Sequence, residues 1–241
     1  VIRLVGGDLS HAVEVFSRLN SSGQKMSPDQ MISALTYQAD APDSLADRIE
    51  RLQEDLGELG FGQIHATTIF RSVLAVAGEE DVQRTQWEAL AKRVHGQLAK
   101  AVDQTERALH HTVGFLRADI GVPLARLVPY STQLIMLVAF FAKVPHPSTE
   151  QRTALVRWFW ATSWSGYFAG ANSTQVKHSL QEIRRFATGG GDLPVHDQVA
   201  RPFPDRFDLR SARVRAYLIW ELRQFPDRLA PDGDPVDVVG L

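Results

Sequence analysis

Cysteine is absent from the 241 residues. Disulfides, thiolate nucleophiles and cysteine-ligated zinc or iron–sulfur centres are therefore excluded. The composition fits a reducing, cytoplasmic setting. Long apolar runs are missing too. The longest, LIMLVAFFA at 134–142, has nine residues, against about 20 needed to cross a bilayer. Residues 1–5, VIRLV, are mostly apolar, but Gly6, Gly7 and Asp8 follow at once, too soon for a signal-peptide core. No membrane partner is expected. A strong charge of either sign is also lacking. The net charge of -2 gives no global attraction to polyanions, so any nucleic-acid surface must be local. Several motifs do not occur: the GxxxxGK[ST] loop, GxGxxG after a strand, GxSxG and HExxH. No catalytic residue and no metal site is assigned.

What is present is an ordinary core-forming composition, 44% hydrophobic and 22% charged. Apolar residues recur mostly at helical spacing. Residues 1–5 read as a lone strand with no partner nearby in sequence. Leu9, Val13, Phe16 and Leu19 then share a helical face, Gly23 can cap that helix, and Ser27-Pro28-Asp29-Gln30 opens the next. Further helices are predicted from Asp43 or Ser44 to Leu59, His65 to Ala77 and Val82 to Arg117, the last weakened by Gly96 and Gly114. Others are predicted from Thr132 to Lys143, from the capping signal at Ser148–Gln151 to Phe168, from Asn172 to Phe186 and from Leu209 to Phe225. The sum is an all-α, multi-helix bundle with one orphan N-terminal strand.

Four groups of residues invite a chemical reading. Asp103, Glu106 and His110 lie on one helical face, but a di-iron bundle needs Glu-x-x-His on two helices, and here the spacing is one residue too long without a second copy. Ordinary surface roles are favoured. Gly189–Gly191 is read as a linker rather than a phosphate loop, since no Lys-Ser or Lys-Thr follows. Trp158, Trp160 and Trp164 are read chiefly as core, although aromatic stripes also stack bases. Arg201, Arg206, Arg210, Arg213, Arg215, Arg223 and Arg228 make the C-terminal third locally basic. Arg206, Arg210 and Arg213 are the candidate DNA-contacting set, weighed against a solvated mixed-charge face because Asp205, Asp208, Glu221 and Asp227 are interleaved.

Residues 12–35, AVEVFSRLNSSGQKMSPDQMISAL, carry Phe16, Arg18, Leu19, Asn20, Gly23 and Ser27 in the order F-x-R-L-N-x-x-G-x-x-L-S, with Met26 in the Leu place. This resembles the GmrSD-type restriction family, whose N-terminal region is the domain of unknown function numbered 262. RWFWATSWSGYFAG at 157–170 resembles that family's Trp-rich helix, with Gly166 where a basic residue is common. SARVRAYLIWEL at 211–222 and the PVDV tail resemble the helix near the end of the same domain. The resemblance implies a nucleotide-dependent restriction or phage-defence protein acting on modified DNA. It implies a ParB-like N-terminal domain with an Asp-Gly-Gln-Gln-Arg motif and, in many members, an HNH-type nuclease at the C-terminus.

Neither the Asp-Gly-Gln-Gln-Arg motif nor a His-Asn-His cluster occurs in this sequence. Together with the opening on Val1 rather than Met, this leads us to expect the cut end of a longer protein. Residues 1–40 would be the end of the ParB-like nucleotide-binding domain, and residues 41–241 the helical domain. On this reading Arg18, Asn20, Gly23 and Lys25 are nucleotide-proximal, Arg being suited by its planar fork to phosphate. This segment holds no cofactor. A nucleoside triphosphate and a divalent metal belong to the complete protein, and DNA is reached through it. A homo-oligomer is compatible with the sequence. The alternative is a helical DNA-binding or protein-interaction module without catalytic activity.

Overall fold

The computed structural model describes residues 45–83, 98–194 and 202–236. The expected strand at 1–5, the motif bearing Arg18, Asn20, Gly23 and Lys25, and Arg201 lie outside the described residues. So does most of the expected helix N-terminal to Leu98.

The described residues form seven α-helices: α1 (Leu45–Glu58), α2 (Ala66–Val76), α3 (Leu98–Phe115), α4 (Ser131–Phe141), α5 (Thr149–Ser165), α6 (Ser173–Ala187) and α7 (Ala212–Gln224). Among these residues there is no β-strand, only one isolated antiparallel bridge between Leu229 and Pro235. The all-α reading therefore stands for the described part. No helix there is long and apolar enough to cross a membrane.

The architecture is organised around α4. Every residue from Gln133 to Phe141 is buried, as a helix apolar on all sides requires when it lies in a packed core. It packs against α2, α3 and α6. Each of those helices presents one stripe. In α2 it includes Ile69, Phe70, Val73 and Leu74; in α6 it is Val176, Leu180, Ile183 and Phe186. In α3, Ala101, Ala108, Leu109 and Val113 are buried together with Thr105 and Thr112. Those two hydroxyls donate to the carbonyls of Ala101 and Ala108, each at 2.7 Å, so neither is buried unpaired. α1 contacts α2 and α3 and buries Ile49, Leu52 and Leu56.

Local signals set several boundaries. Ser148 accepts from the Gln151 amide at 3.2 Å, and the Gln151 side chain accepts from the Ser148 amide at 3.1 Å. This reciprocal cap satisfies two donors of the first turn of α5. Asn172 caps α6 with a single bond, accepting from the Gln175 amide at 3.0 Å. α5 stops at Ser165 rather than at the expected Phe168, because Gly166 takes the left-handed conformation, φ 71°. That requirement accounts for glycine at this position: a side chain there would be strained.

α3 continues beyond Phe115 as a π-helical turn, Leu116–Ile120, which ends at left-handed Gly121. The Arg152 guanidinium pairs with the Asp119 carboxylate. Arg223 donates to the Asp119 carbonyl at 2.8 Å, and its aliphatic stem lies over Gly121. One turn thus ties α3, α5 and α7 together. α7 also packs on α5 and on the 3-10 turn Ala125–Leu127, through buried Val214, Ala216 and Ile219. Arg215 reaches the Val128 carbonyl at 2.9 Å. Burial pulls its pKa below the ordinary arginine range.

Candidate functional site

The surface around α7 gathers the sequence-predicted cations. The predicted helix from Leu209 begins only at Ala212. The Asp208 carboxylate accepts from the Arg210 amide at 2.9 Å, and such a side-chain turn competes with helix. Arg206 and Arg210 therefore sit in the approach segment, and only Arg213 is helical.

The three arginines differ electrically. Arg210 is taken up by Asp208, with Nε to Oδ2 at 3.0 Å and Nη2 to Oδ2 at 2.9 Å. Those hydrogen bonds hold the Asp208 carboxyl below its usual range. Arg213 donates to the Pro202 carbonyl, a neutral acceptor, and among the described residues no ion pair includes it. Arg206 is exposed, and among the described residues no ion pair includes it. Arg228, further on, pairs with Glu221 at 3.4 Å.

The same surface carries aromatic side chains from outside the tryptophan-rich segment. The Phe203 and Tyr217 rings meet edge to face at 5.3 Å, and Tyr217 lies 5.9 Å from Trp220. Phe203 and Trp220 keep 47% and 41% of their surface exposed. Tyr217 and Trp220 are three apart on the solvent side of α7, a visible signal of a shared face. Phe203 joins them through the chain reversal that Arg213 holds at Pro202, and no local pattern reveals that. Phe207, Leu209, Phe225 and Leu229 are also exposed.

Elsewhere the candidate chemistry resolves into structure. Trp158 is buried against Phe168, with centroids at 6.1 Å. Trp160 and Trp164 stack on each other at 6.3 Å with rings 17° apart, half-buried. Arg48 from α1 binds Asp103 at 2.5 Å and Glu106 at 3.4 Å, so these carboxylates have a cation already, and His110 stays exposed. His111 stacks on Phe141 and meets His146 edge to face at 5.4 Å. Burial, then the neighbouring His146 and His110, lowers its pKa, which favours the neutral ring. Among the described residues no group of three or more His, Asp or Glu is placed to hold a metal ion.

Gly189 and Gly190 are tied to the end of α6 rather than free, and Gly191 follows them. Gly189 and Gly190 donate their amides to the Phe186 and Arg185 carbonyls at 3.1 and 2.8 Å. They form the C-terminal cap of α6, and those donors are no longer available to an anion. A Cβ at Gly190 would lie 2.9 Å from the Arg185 carbonyl oxygen, so the close backbone approach requires glycine.

Comparison with known proteins gives no assignment: no family model, no curated protein and no solved structure matches the chain.

Proposed function

We propose that the chain is the helical portion of a GmrSD-like, nucleotide-dependent restriction or phage-defence protein. It couples an N-terminal nucleotide sensor to a downstream effector acting on modified DNA. The single observation that carries this reading is the Phe16, Arg18, Leu19, Asn20, Gly23, Ser27 series ahead of a helical body. The all-α build of the described residues, anchored on buried α4, suits a body that transmits rather than catalyses. Arg18 and Asn20 would orient phosphate at the edge of a nucleotide site completed by upstream sequence, with Gly23 and Lys25 in the adjoining turn. Hydrolysis is not expected from residues 1–241 alone.

The test is Arg18→Ala in the full-length parent. Nucleotide hydrolysis is expected to fall by about 100-fold or more, the usual scale for losing a positioned electrostatic group. Circular dichroism should be unchanged. Hydrolysis and phage restriction at the parental level would show that the motif has no nucleotide role.

A second reading has its own support. Arg213 on the same helix as Tyr217 and Trp220, and exposed Arg206 three residues after Phe203, favour a non-catalytic DNA-binding module: among the described residues neither arginine is in an ion pair, and Phe203 and Trp220 are exposed, with Arg210 contributing less because Asp208 engages it.

A further inference from the structure

We infer that the Phe203–Tyr217–Trp220 face binds single-stranded nucleic acid, with bases stacking on the rings and the phosphates running past Arg206 and Arg213. The inference rests on the second reading above and names its substrate class.

The rings make the stronger argument. Leaving large aromatic surface in water forgoes the stabilisation that burial gives elsewhere in this protein. Here two of three neighbouring rings are more than two-fifths exposed. Tyr217 joins the other two, at centroid distances of 5.3 Å to Phe203 and 5.9 Å to Trp220. The contact between Arg213 and the Pro202 carbonyl holds the loop that delivers Phe203. The platform is therefore set before any ligand arrives. Stacking of this kind tolerates any base sequence, because each base offers a π-face.

Charge decides the kind of partner. A neutral apolar protein segment would gain little from Arg213, whose acceptor cancels none of its charge. A phosphate backbone would gain directly. Of the four interleaved acids, Asp208 is engaged by Arg210 and Glu221 by Arg228, which limits their repulsion of an anion, while Asp205 and Asp227 stay exposed and reduce the attraction. Strand state follows from the rings. A duplex hides its base faces, and reading its edges calls for polar side chains in the groove. Unpaired strands present their base faces to aromatic side chains.

The experiment uses the 241-residue chain and fluorescence anisotropy with a labelled oligothymidine of about a dozen nucleotides. A duplex of the same length is run in parallel. Trp220→Ala, Trp220→Phe and Arg206→Ala are compared, with circular dichroism confirming the fold. The expected result is single-strand binding at least about tenfold tighter than duplex binding. Trp220→Ala should lose about tenfold or more, and Trp220→Phe should retain most of the affinity, as base–ring stacking requires. With Arg206 and Arg213 as the two phosphate-contacting cations, log affinity should fall against log salt with a slope of only about 1 to 2.

Equal binding of both forms, insensitive to Trp220→Ala, would overturn the inference and leave the DNA-binding reading standing. Binding of neither would overturn both. Concentration-dependent self-association abolished by Trp220→Ala, without nucleic-acid binding, would assign the face to a second copy of the chain and likewise overturn both.

Discussion

Phe140→Ala is expected to destabilise the helical body by about 3–5 kcal/mol, the range for truncating a fully buried phenylalanine. Phe140 is completely buried on α4. Its ring meets Phe141 edge to face at 5.4 Å and stacks on Phe186 of α6 at 5.7 Å. Removing it takes away apolar transfer energy and leaves a cavity. Collapse into that cavity is hindered because α4 is held by α2, α3 and α6 together. Urea unfolding followed by circular dichroism should show a lower midpoint with an unchanged slope. Arg157→Ala, at an exposed position of α5, is the matched control and should stay within about 0.5 kcal/mol of the parent. A Phe140→Ala effect no larger than that of the control would mean that α4 is not the centre of the fold.

Gln133→Glu is the second large effect, and its origin is electrostatic. Gln133 is fully buried near the start of α4. Its Nε2 faces three acceptors: the Phe159 carbonyl at 3.0 Å, Thr162 Oγ1 at 2.8 Å and Ser163 Oγ at 2.9 Å. Both hydroxyls already donate to carbonyls within α5, Thr162 to Trp158 at 2.8 Å and Ser163 to Phe159 at 2.7 Å. A carboxylate would place acceptor against acceptor in a site closed to water. At neutral pH the cost should be about 3–5 kcal/mol, that of a buried uncompensated charge.

The pH dependence of this cost has a definite sign. The introduced carboxyl would have a folded-state pKa raised above its unfolded value by burial. Its penalty is then smallest below the unfolded carboxyl range and grows as pH rises through the folded pKa. Gln133→Leu is the useful contrast. It removes the donors but leaves the facing oxygens with their other partners, so it should cost only about 1 kcal/mol. Equal losses for Glu and Leu would show that packing, not the polar network, is what matters at this position.

These two residues also show how much of the fold the sequence exposes. The apolar run containing Phe140 announces a buried helix without any tertiary information, and Ser148 and Asn172 announce helix starts by their capping chemistry. Gln133 announces nothing, because its partners lie on another helix 26 to 30 residues away. The π turn at Leu116–Ile120 is similarly silent: helix was predicted to end near Arg117, and the arginine contacts converging on Asp119 are long-range. At the α7 surface the cations and the Tyr217-x-x-Trp220 pair can be read locally. The neutralisation of Arg210 is local as well, since Asp208 is two residues away, but the arrival of Phe203 cannot be read so, because it depends on how the chain folds back before Ala212.

The proposal that the chain is part of a GmrSD-like protein is tested most directly by the sequence of the reading frame on either side of the codons for Val1 and Leu241. The account predicts an Asp-Gly-Gln-Gln-Arg motif encoded upstream, in frame with Val1, and a His-Asn-His cluster downstream would add the nuclease. A start codon immediately before Val1, with no such motif encoded ahead of it, would contradict the account and leave the α7 surface as the basis for any function.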